Sequence, residues 1–263
     1  MSAAREPAPS RPILALESVT MRFGGLYAVR DLVMKVPEQS LFGLIGPNGA
    51  GKTTIFNVIT GVYTPTGGQV VFGGTAIEGW LPARITEAGI ARTFQNIRLF
   101  ADLTVLENVM IAFHHSSKET LWDAVFRGRR FAEEEERIRS KAMDLLKIFH
   151  LDGFAGEVSS SLPYGSQRRL EIARAMATSP RLLCLDEPAA GMNPQESIEL
   201  MKLIRWVRDE FKMTILLVEH NMRVVMGICE SIQVVDYGET IAVGPPDEIR
   251  RNPKVIEAYL GGA

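Results

Sequence analysis

A glycine-rich segment in the first quarter of the chain has the residue types of a phosphate-binding loop. Residues 46–53 read Gly-Pro-Asn-Gly-Ala-Gly-Lys-Thr and match the pattern G-x-x-x-x-G-K-[ST]. An apolar run at 41–45 precedes the segment, and a helix-like run at 53–60 follows it. This strand-loop-helix context favours a phosphate site over a glycine-rich turn that carries Lys-Thr by coincidence.

Each residue type in this loop has a chemical reason. Gly49 and Gly51 allow backbone N–H groups to close around phosphate oxygens, Lys52 can reach the β- and γ-phosphates, and the Thr53 hydroxyl can hold Mg²⁺. The following helix adds the positive end of its dipole. The sequence therefore predicts a nucleoside triphosphate bound with Mg²⁺. The residues predicted to bind it are Gly46, Pro47, Asn48, Gly49, Ala50, Gly51, Lys52, Thr53 and Thr54.

A pair of carboxylates at 186–187 is the second candidate site. Residues 182–187 read Leu-Leu-Cys-Leu-Asp-Glu, an apolar strand that ends in two acids. Beside a phosphate loop, Asp186 would hold Mg²⁺ and Glu187 would polarise the attacking water. An apolar strand ending in Asp-Glu more often means a strand that meets solvent, and the phosphate loop is what favours a functional reading. Glu187 could also position water without accepting its proton, so its role as general base stays open.

Composition limits the class of protein. The chain has 263 residues, a formal net charge of -2 and a pI of about 6.1, so no overall basic field indicates a nucleic-acid ligand. Cys184 and Cys229 lie in apolar runs without C-x-x-C spacing, which predicts packing residues in a reducing compartment. No apolar run reaches the roughly 20 residues of a membrane-spanning helix. We expect a cytosolic chain, or one held at a membrane by a partner.

The order of local patterns predicts an α/β fold with a helical insertion. Residues 1–12 read as a mobile tail, and residues 13–40 as antiparallel strands joined by turns. Helical spacing dominates from 97 to 180, and β/α alternation returns after it, which implies a mostly parallel sheet.

One helix in the insertion has a clear apolar face. Ile138, Ala142, Leu145 and Phe149 recur at helical spacing, and Gly153 is predicted to end this helix.

Residues 162–175 carry the resemblance that names a family. They read Leu-Pro-Tyr-Gly-Ser-Gln-Arg-Arg-Leu-Glu-Ile-Ala-Arg-Ala and resemble the signature segment of ATP-binding cassette (ABC) proteins. The same family pattern places a Gln before the helical insertion, here Gln95, and a His after the strand that follows the carboxylates, here His220. An aromatic residue near the start normally stacks on adenine, and Phe23 occupies that place, although a buried Phe at a turn is the alternative.

This resemblance, which covers nearly the whole chain after Pro12, implies a fold and an assembly. The fold would be an α/β P-loop NTPase (RecA-like) core with an N-terminal antiparallel β subdomain and a helical insertion subdomain. The single domain would span 13–263, with core and β subdomain at 13–95 and 181–263 and the helical subdomain at 96–180. Two such chains would form a head-to-tail dimer, in which each ATP lies between the phosphate loop of one and the signature of the other.

The resemblance also implies residue roles. Gln95 would sense Mg²⁺ or the attacking water, His220 would contact the γ-phosphate, and Lys52 and Glu187 would complete the catalytic set. The implied Mg²⁺ contacts are Thr53, Gln95 and Asp186. The implied signature contacts to the partner's ATP are Pro163, Tyr164, Gly165, Ser166 and Gln167.

Longer stretches look like the ATP-binding subunits of branched-chain amino acid importers. They are residues 91–100, 103–109, 186–194 and 257–261. The long insertion around 114–131 resembles that of the larger of two paralogous ATPase subunits. This implies a paralogous or second ATPase copy, two integral membrane permease subunits, a solute-binding protein reached indirectly, a place on the cytoplasmic face of the membrane, and no nucleic acid. The alternatives are a urea, amide or other amino acid importer, a soluble non-transport ABC ATPase, or a regulatory module with little turnover.

Among the departures from the usual family pattern are Pro163, Tyr164 and Asn193. Pro163 and Tyr164 replace the Ser and first Gly of Leu-Ser-Gly-Gly-Gln, and Asn193 replaces an Asp. Pro163 suits the first turn of a helix, where a missing N–H costs nothing. Because this signature would contact the partner's ATP, the two ATP sites of a heterodimer would be unequal, and the site that uses this chain's signature would hydrolyse ATP more slowly. Residues 98–103 are a candidate dock for a membrane subunit, with core packing as the alternative.

Overall fold

The computed structural model describes residues 12–114 and 129–260. The contacts divide the chain into two compact units, the described parts of 1–85 with 201–263 and the segment 86–200. Most of the predicted long insertion around 114–131 and almost all of the predicted tail at 1–12 lie outside the described residues. The subdomain boundaries drawn from the sequence stay a prediction.

Strands alternate one by one with helices between residues 182 and 236, and elsewhere several strands or several helices follow one another. The strands are β1 (Pro12–Phe23), β2 (Leu26–Pro37), β3 (Leu41–Ile45), β4 (Gly67–Phe72), β5 (Thr75–Ala76), β6 (Ile90–Arg92), β7 (Leu182–Asp186), β8 (Thr214–Val218), β9 (Ser231–Asp236) and β10 (Glu239–Gly244). The helices are α1 (Lys52–Ile59), α2 (Pro82–Glu87), α3 (Val105–His114), α4 (Arg129–Ile148), α5 (Tyr164–Met176), α6 (Pro194–Phe211), α7 (Met222–Ile228), α8 (Pro246–Arg251) and α9 (Pro253–Leu260).

Strands of the first unit form two sets. One is antiparallel, in the order β2-β1-β4-β5, and it confirms the antiparallel strands predicted for 13–40. In the other, β3 pairs in parallel with β8 and with β9, while β10 adds an antiparallel edge. Every residue of β3 and of β8 is buried, as expected for parallel strands covered on both faces.

In the second unit, β6 and β7 pair in parallel and three helices, α3, α4 and α5, pack together. The predicted apolar face of α4 is confirmed, because Ile138, Ala142, Leu145 and Phe149 are all buried. The predicted end of this helix at Gly153 is wrong.

Helix α4 ends at Ile148, five residues before that glycine. His150 takes the left-handed conformation (φ 54°), and its N–H donates to Lys147 O while the Leu151 N–H donates to Leu146 O. These two bonds form a Schellman motif, in which glycine is the usual but not the obligatory residue. Because a histidine and not a glycine takes the left-handed conformation after this helix, the end predicted at Gly153 lies too far along the chain.

The turn between β9 and β10 supports the loop that follows β3. Gly238 N–H donates to Ala50 O (3.1 Å), and Gly238 O accepts from Arg30 N–H (2.9 Å). Gly238 has φ 80°, and a Cβ there would lie 2.7 Å from Ala28 O and 2.9 Å from Val29 Cα. Glycine is therefore required at 238 both by conformation and by space.

We predict that Gly238→Ala destabilises the chain more than Gly74→Ala. Gly74 has φ 84°, and a Cβ on it would meet nothing within 4 Å, so its alanine variant should cost only about 1 kcal/mol of left-handed strain. The Gly238 variant adds a backbone clash of about 1–3 kcal/mol. Urea denaturation of both variants measures the difference, and equal losses would contradict the supporting role of the turn.

Candidate functional site

The predicted phosphate loop lies between β3 and α1, where two of its glycines are dictated by space. A Cβ on Gly46 would lie 2.1 Å from Val235 O, and one on Gly51 would lie 2.4 Å from Ala28 O. Gly51 also has φ 98°, which disfavours any side chain. The sharp turn brings the start of α1 directly behind the loop, and the first N–H groups of a helix are available to an anion.

Lys52 begins α1 and folds its side chain over the loop. Its Nζ donates to Gly46 O (2.7 Å) and Pro47 O (2.8 Å), and the residue is 8% exposed. The cation is thus held against the loop backbone, at the place where a phosphate chain would need a counter-charge. Thr53, the next residue, is exposed at the first turn of α1. The glycine cradle and this cation fit a bound triphosphate.

The C-terminal helix α9 also reaches the phosphate loop. Burial raises the pKa of the Tyr259 hydroxyl, and a hydrogen bond with the Gly46 backbone acts in the opposite direction. Tyr259 belongs to residues 257–261, one of the stretches that carried the family resemblance. This contact gives that stretch a structural role beside the first residue of the loop.

The first carboxylate of the acidic pair is held by an arginine. Asp186 ends β7, and its Oδ2 accepts from Arg92 Nη2 at 2.8 Å, with both side chains 8% exposed. The register of β6 and β7, which pairs Arg92 with Cys184, places the arginine beside the end of β7. Sequence reasoning missed Arg92, whose only signal was its position three residues before Gln95.

The second carboxylate contacts Gln95. Gln95 Nε2 donates to Glu187 Oε2 at 2.9 Å. Extending the β6–β7 register by three residues brings 95 opposite 187, so the pair follows from strand pairing. Glu187 has φ 46°, and such a left-handed conformation at a non-glycine residue is a strained feature that clusters at functional sites.

The signature segment starts helix α5. Pro163 is the N-cap, and its carbonyl accepts from Ser166 N–H (2.9 Å) and Gln167 N–H (3.0 Å). The sequence placed Pro163 inside the first turn, and the structure corrects this to the residue before it. Gln167 Nε2 donates to Leu162 O (2.8 Å), which ties the start of the helix to the preceding chain.

Asn193 has a local role that explains how it can replace an acid. Its Oδ1 accepts from Glu196 N–H and its own N–H donates to Glu196 Oε2, both at 2.9 Å. This reciprocal pair is a capping box at the start of α6. Asparagine and aspartate cap helices about equally well, so the substitution preserves the helix start.

Two further predicted site residues lie in the first unit, one shortly after a strand and one at the end of a strand. His220 is exposed and follows β8. Phe23 ends β1, is 44% exposed and packs edge-on against Tyr63 with ring centroids 5.3 Å apart. The alternative of a buried Phe23 is therefore wrong, while adenine stacking stays a prediction.

The loop at 98–103 lies at the surface of the second unit, so the core-packing alternative is wrong. Phe100 is 48% exposed, whereas its backbone is fixed by the buried amide of Asn108. Asn108 Oδ1 accepts from Phe100 N–H (2.9 Å) and Nδ2 donates to Phe100 O (3.1 Å) and Thr104 O (3.0 Å). The sequence did not identify Asn108 as the residue that shapes this loop.

The predicted Mg²⁺ contacts are a hydroxyl, an amide and a single carboxylate. Such an oxygen set suits Mg²⁺, which keeps several waters and takes few protein ligands. Within 12–114 and 129–260, no group of three or more His, Cys, Asp or Glu residues could hold a metal ion. Over the same ranges, no helix has the length and apolar character needed to cross a bilayer.

Cys184 and Cys229 are buried, and burial raises the pKa of each thiol to about 12, which confirms them as packing residues.

Two family models match the chain. The model described as "ABC transporter" matches residues 29–190, more than half of the sequence. The chain belongs to the ABC transporter ATP-binding family. The second model, a branched-chain amino acid ATP-binding cassette transporter, matches residues 239–263. This membership confirms the predicted ATPase and the predicted ABC fold.

Relatives of this ABC ATPase match over nearly their complete length. It is 47% identical to the high-affinity branched-chain amino acid transport ATP-binding protein BraF of Pseudomonas aeruginosa, over 97% of this chain and 100% of the relative. It is 46% identical to LivG of Escherichia coli K12 over the same shares. A solved ATP-binding cassette in its ADP conformation superposes with a TM-score of 0.83 at 30% identity, covering 96% of this chain and 100% of that one.

We predict that Arg92→Met lowers the free energy of unfolding by about 3–5 kcal/mol, because it leaves the buried Asp186 without this cation. Lys147→Met is the control, since it removes an exposed ion pair with Asp144 and should cost about 0–1 kcal/mol. Denaturant unfolding measures both. Adding Asp186→Asn to Arg92→Met should recover part of the loss, and a double variant no more stable than the single one would contradict the ion-pair explanation.

Proposed function

We propose that this ABC ATPase drives uptake of branched-chain amino acids as a subunit of an ABC importer. The observation that carries the proposal is the 46–47% identity, over 97% of the chain, to proteins named for high-affinity branched-chain amino acid transport. The separate match of 239–263 to the branched-chain cassette model supports the same solute class. A lipopolysaccharide export ATP-binding protein of Haemophilus influenzae is similar at only 32% identity.

In this proposal the phosphate loop binds the triphosphate of ATP. The loop amides and Lys52 neutralise its charge, Phe23 stacks on adenine, and Thr53 and Asp186 take part in holding Mg²⁺. The metal, when bound, neutralises the charge that develops on the phosphate oxygens. The Gly46 and Gly51 cradle and the position of Lys52 over the loop support this assignment.

Glu187 and Gln95 are proposed to act on the attacking water. Glu187 would accept or orient its proton, and the Gln95 amide, 2.9 Å from that carboxylate, would hold the carboxylate in place until water and nucleotide are present. His220 would contact the γ-phosphate and stabilise charge in the transition state. Most of the rate enhancement would then come from positioning and electrostatics.

The assembly proposed is a head-to-tail dimer with a paralogous ATPase, bound to two membrane permease subunits on the cytoplasmic face. A dimeric ABC cassette with ADP and phosphate is 26% identical, with a TM-score of 0.74 over 89% of this chain and 98% of that one. The signature residues from Pro163 to Gln167 would complete the partner's ATP site. The exposed loop at 98–103, rigidified by Asn108, would meet the permease.

The proposal is tested by transport. The membrane and solute-binding proteins that co-purify with the chain are identified first. They are then co-expressed with it, and the complex is reconstituted into liposomes. ATP-dependent uptake of radiolabelled leucine, isoleucine and valine is expected, with urea and acetamide as comparison solutes. Uptake of urea without leucine would overturn the solute assignment, and absence of any membrane partner would overturn the transport assignment.

We predict that Glu187→Gln stops turnover while ATP binding persists. The complex should lose at least about 100-fold in kcat, since general-base catalysis contributes about 10²–10⁴-fold. Lys52→Ala should weaken nucleotide binding itself. Steady-state hydrolysis and fluorescent-nucleotide titration measure the two effects, with the exposed Glu136→Gln as a charge-matched control. Undiminished hydrolysis in the Glu187 variant would remove it from the catalytic set.

We predict unequal ATP sites in the heterodimer. The site that uses this chain's signature lacks the usual serine hydroxyl, because Pro163 stands in its place. A lost hydrogen bond to a charged group is worth about 1.5–3 kcal/mol, so this site should hydrolyse ATP at least about tenfold more slowly than the other. The catalytic glutamate is replaced by Gln in one subunit at a time, so that only the other site can hydrolyse ATP. Single-turnover hydrolysis then measures the rate at each site separately. Equal rates at the two sites would show that Pro163 costs nothing.

A further inference from the structure

Arg168 in helix α5 is a fully buried cation with an unusual set of partners. Its side chain is 0% exposed. Nη1 donates to Glu171 Oε2 and to Phe94 O, both at 2.7 Å, and Nη2 donates to Gln95 O at 2.7 Å and lies 3.2 Å from the Tyr164 hydroxyl. Two of its acceptors are therefore backbone carbonyls of the segment that carries Gln95.

Glu171 holds the same segment through the backbone N–H groups of that segment. This carboxylate is 2% exposed, and its Oε1 faces the N–H groups of Phe94 (3.3 Å) and Arg98 (3.4 Å). Arg168 and Glu171 together, named here the 168–171 clamp, grip both donors and acceptors of the backbone on each side of Gln95. The segment 94–98 has no regular secondary structure, so side chains must satisfy its peptide groups.

The geometry of the clamp requires the guanidinium fork. Four bonds from two terminal nitrogens use all four of their N–H groups, while the Nε–H has no hydrogen-bond partner among the described residues. A lysine ammonium has three donors on one atom and cannot span Phe94 O, Gln95 O and Glu171 at once. In a buried ion pair, the attraction between the charges barely offsets the free energy lost when both are removed from water. The contribution of this pair to stability is therefore a weak explanation for its presence.

The clamp connects two functional elements of one chain. At one end, Tyr164 lies in the signature segment, and at the other end the Gln95 side chain donates to Glu187 (2.9 Å). The backbone of Gln95 is thus fixed by α5, whereas its side chain is directed at the catalytic carboxylate. A shift of α5 would move the Gln95 amide relative to Glu187.

We propose that Arg168 and Glu171 are positioning residues that hold Gln95 against Glu187 and tie this contact to the position of the signature helix. The inference rests on the proposed function, in which Glu187 supports ATP hydrolysis. Both side chains of the clamp are buried, with 0% and 2% of their surface exposed, so neither faces the solvent from which nucleotide and water would enter. The effect of the clamp on hydrolysis must therefore pass through Gln95.

A double-mutant cycle in the assembled ATPase complex tests this route. Arg168→Lys should lower kcat about tenfold in the otherwise native complex, with KM for ATP changed less than twofold. In a Gln95→Ala background the same substitution should lower kcat less than twofold, because the residue through which it acts is gone. Arg169→Lys is the matched control, since this neighbouring arginine donates to Ser166 Oγ (3.0 Å) on its own helix rather than to the segment around Gln95.

Glu171→Gln is the second variant, since it keeps the shape of the side chain and one acceptor oxygen while it removes the charge that faces Arg168. It should show the same loss of kcat and the same disappearance of that loss in Gln95→Ala. Equal fold losses with and without Gln95 would overturn the proposal and leave the clamp a purely structural element. A native complex without ATPase activity would instead overturn the proposed function.

Discussion

A buried guanidinium needs hydrogen-bond acceptors, and in the second unit the backbone around Gln95 supplies them. Arg168 uses two peptide carbonyls of this irregular segment, and Glu171 offers its carboxylate to two peptide N–H groups. The loop that follows is held in the same way by the buried amide of Asn108. Irregular chain inside a protein persists only when its peptide groups are satisfied, and here three buried side chains do so.

The need of buried polar groups for partners also gives the two neighbouring carboxylates different contacts. Asp186 is buried and paired with Arg92, while Glu187 turns out of the strand in a left-handed conformation and meets an amide. One acid thereby pairs with a cation, and the other accepts a hydrogen bond from a neutral amide. Both arrangements follow from the parallel register of β6 and β7, which aligns 92–95 with 184–187.

Local signals in the sequence predicted most elements and the composition of the candidate site. The apolar run before the phosphate loop and the buried face of α4 needed only periodicity and turn residues. The end of α4 was missed because His150 adopted a conformation usually taken by glycine. Arg92, Arg168 and Glu171 were missed because a charged residue in a helical or strand-end pattern gives no sign that it is buried.

The sequence by itself determined the residue types of the phosphate loop, the acidic pair and the signature, because such motifs are read over a few adjacent residues. Only the tertiary structure decided which side chains meet: Arg92 with Asp186, Gln95 with Glu187, and Arg168 with the carbonyls of Phe94 and Gln95. These contacts join residues more than 70 positions apart. They depend on parallel strand register and on the direction of α5, which no local pattern of residues encodes.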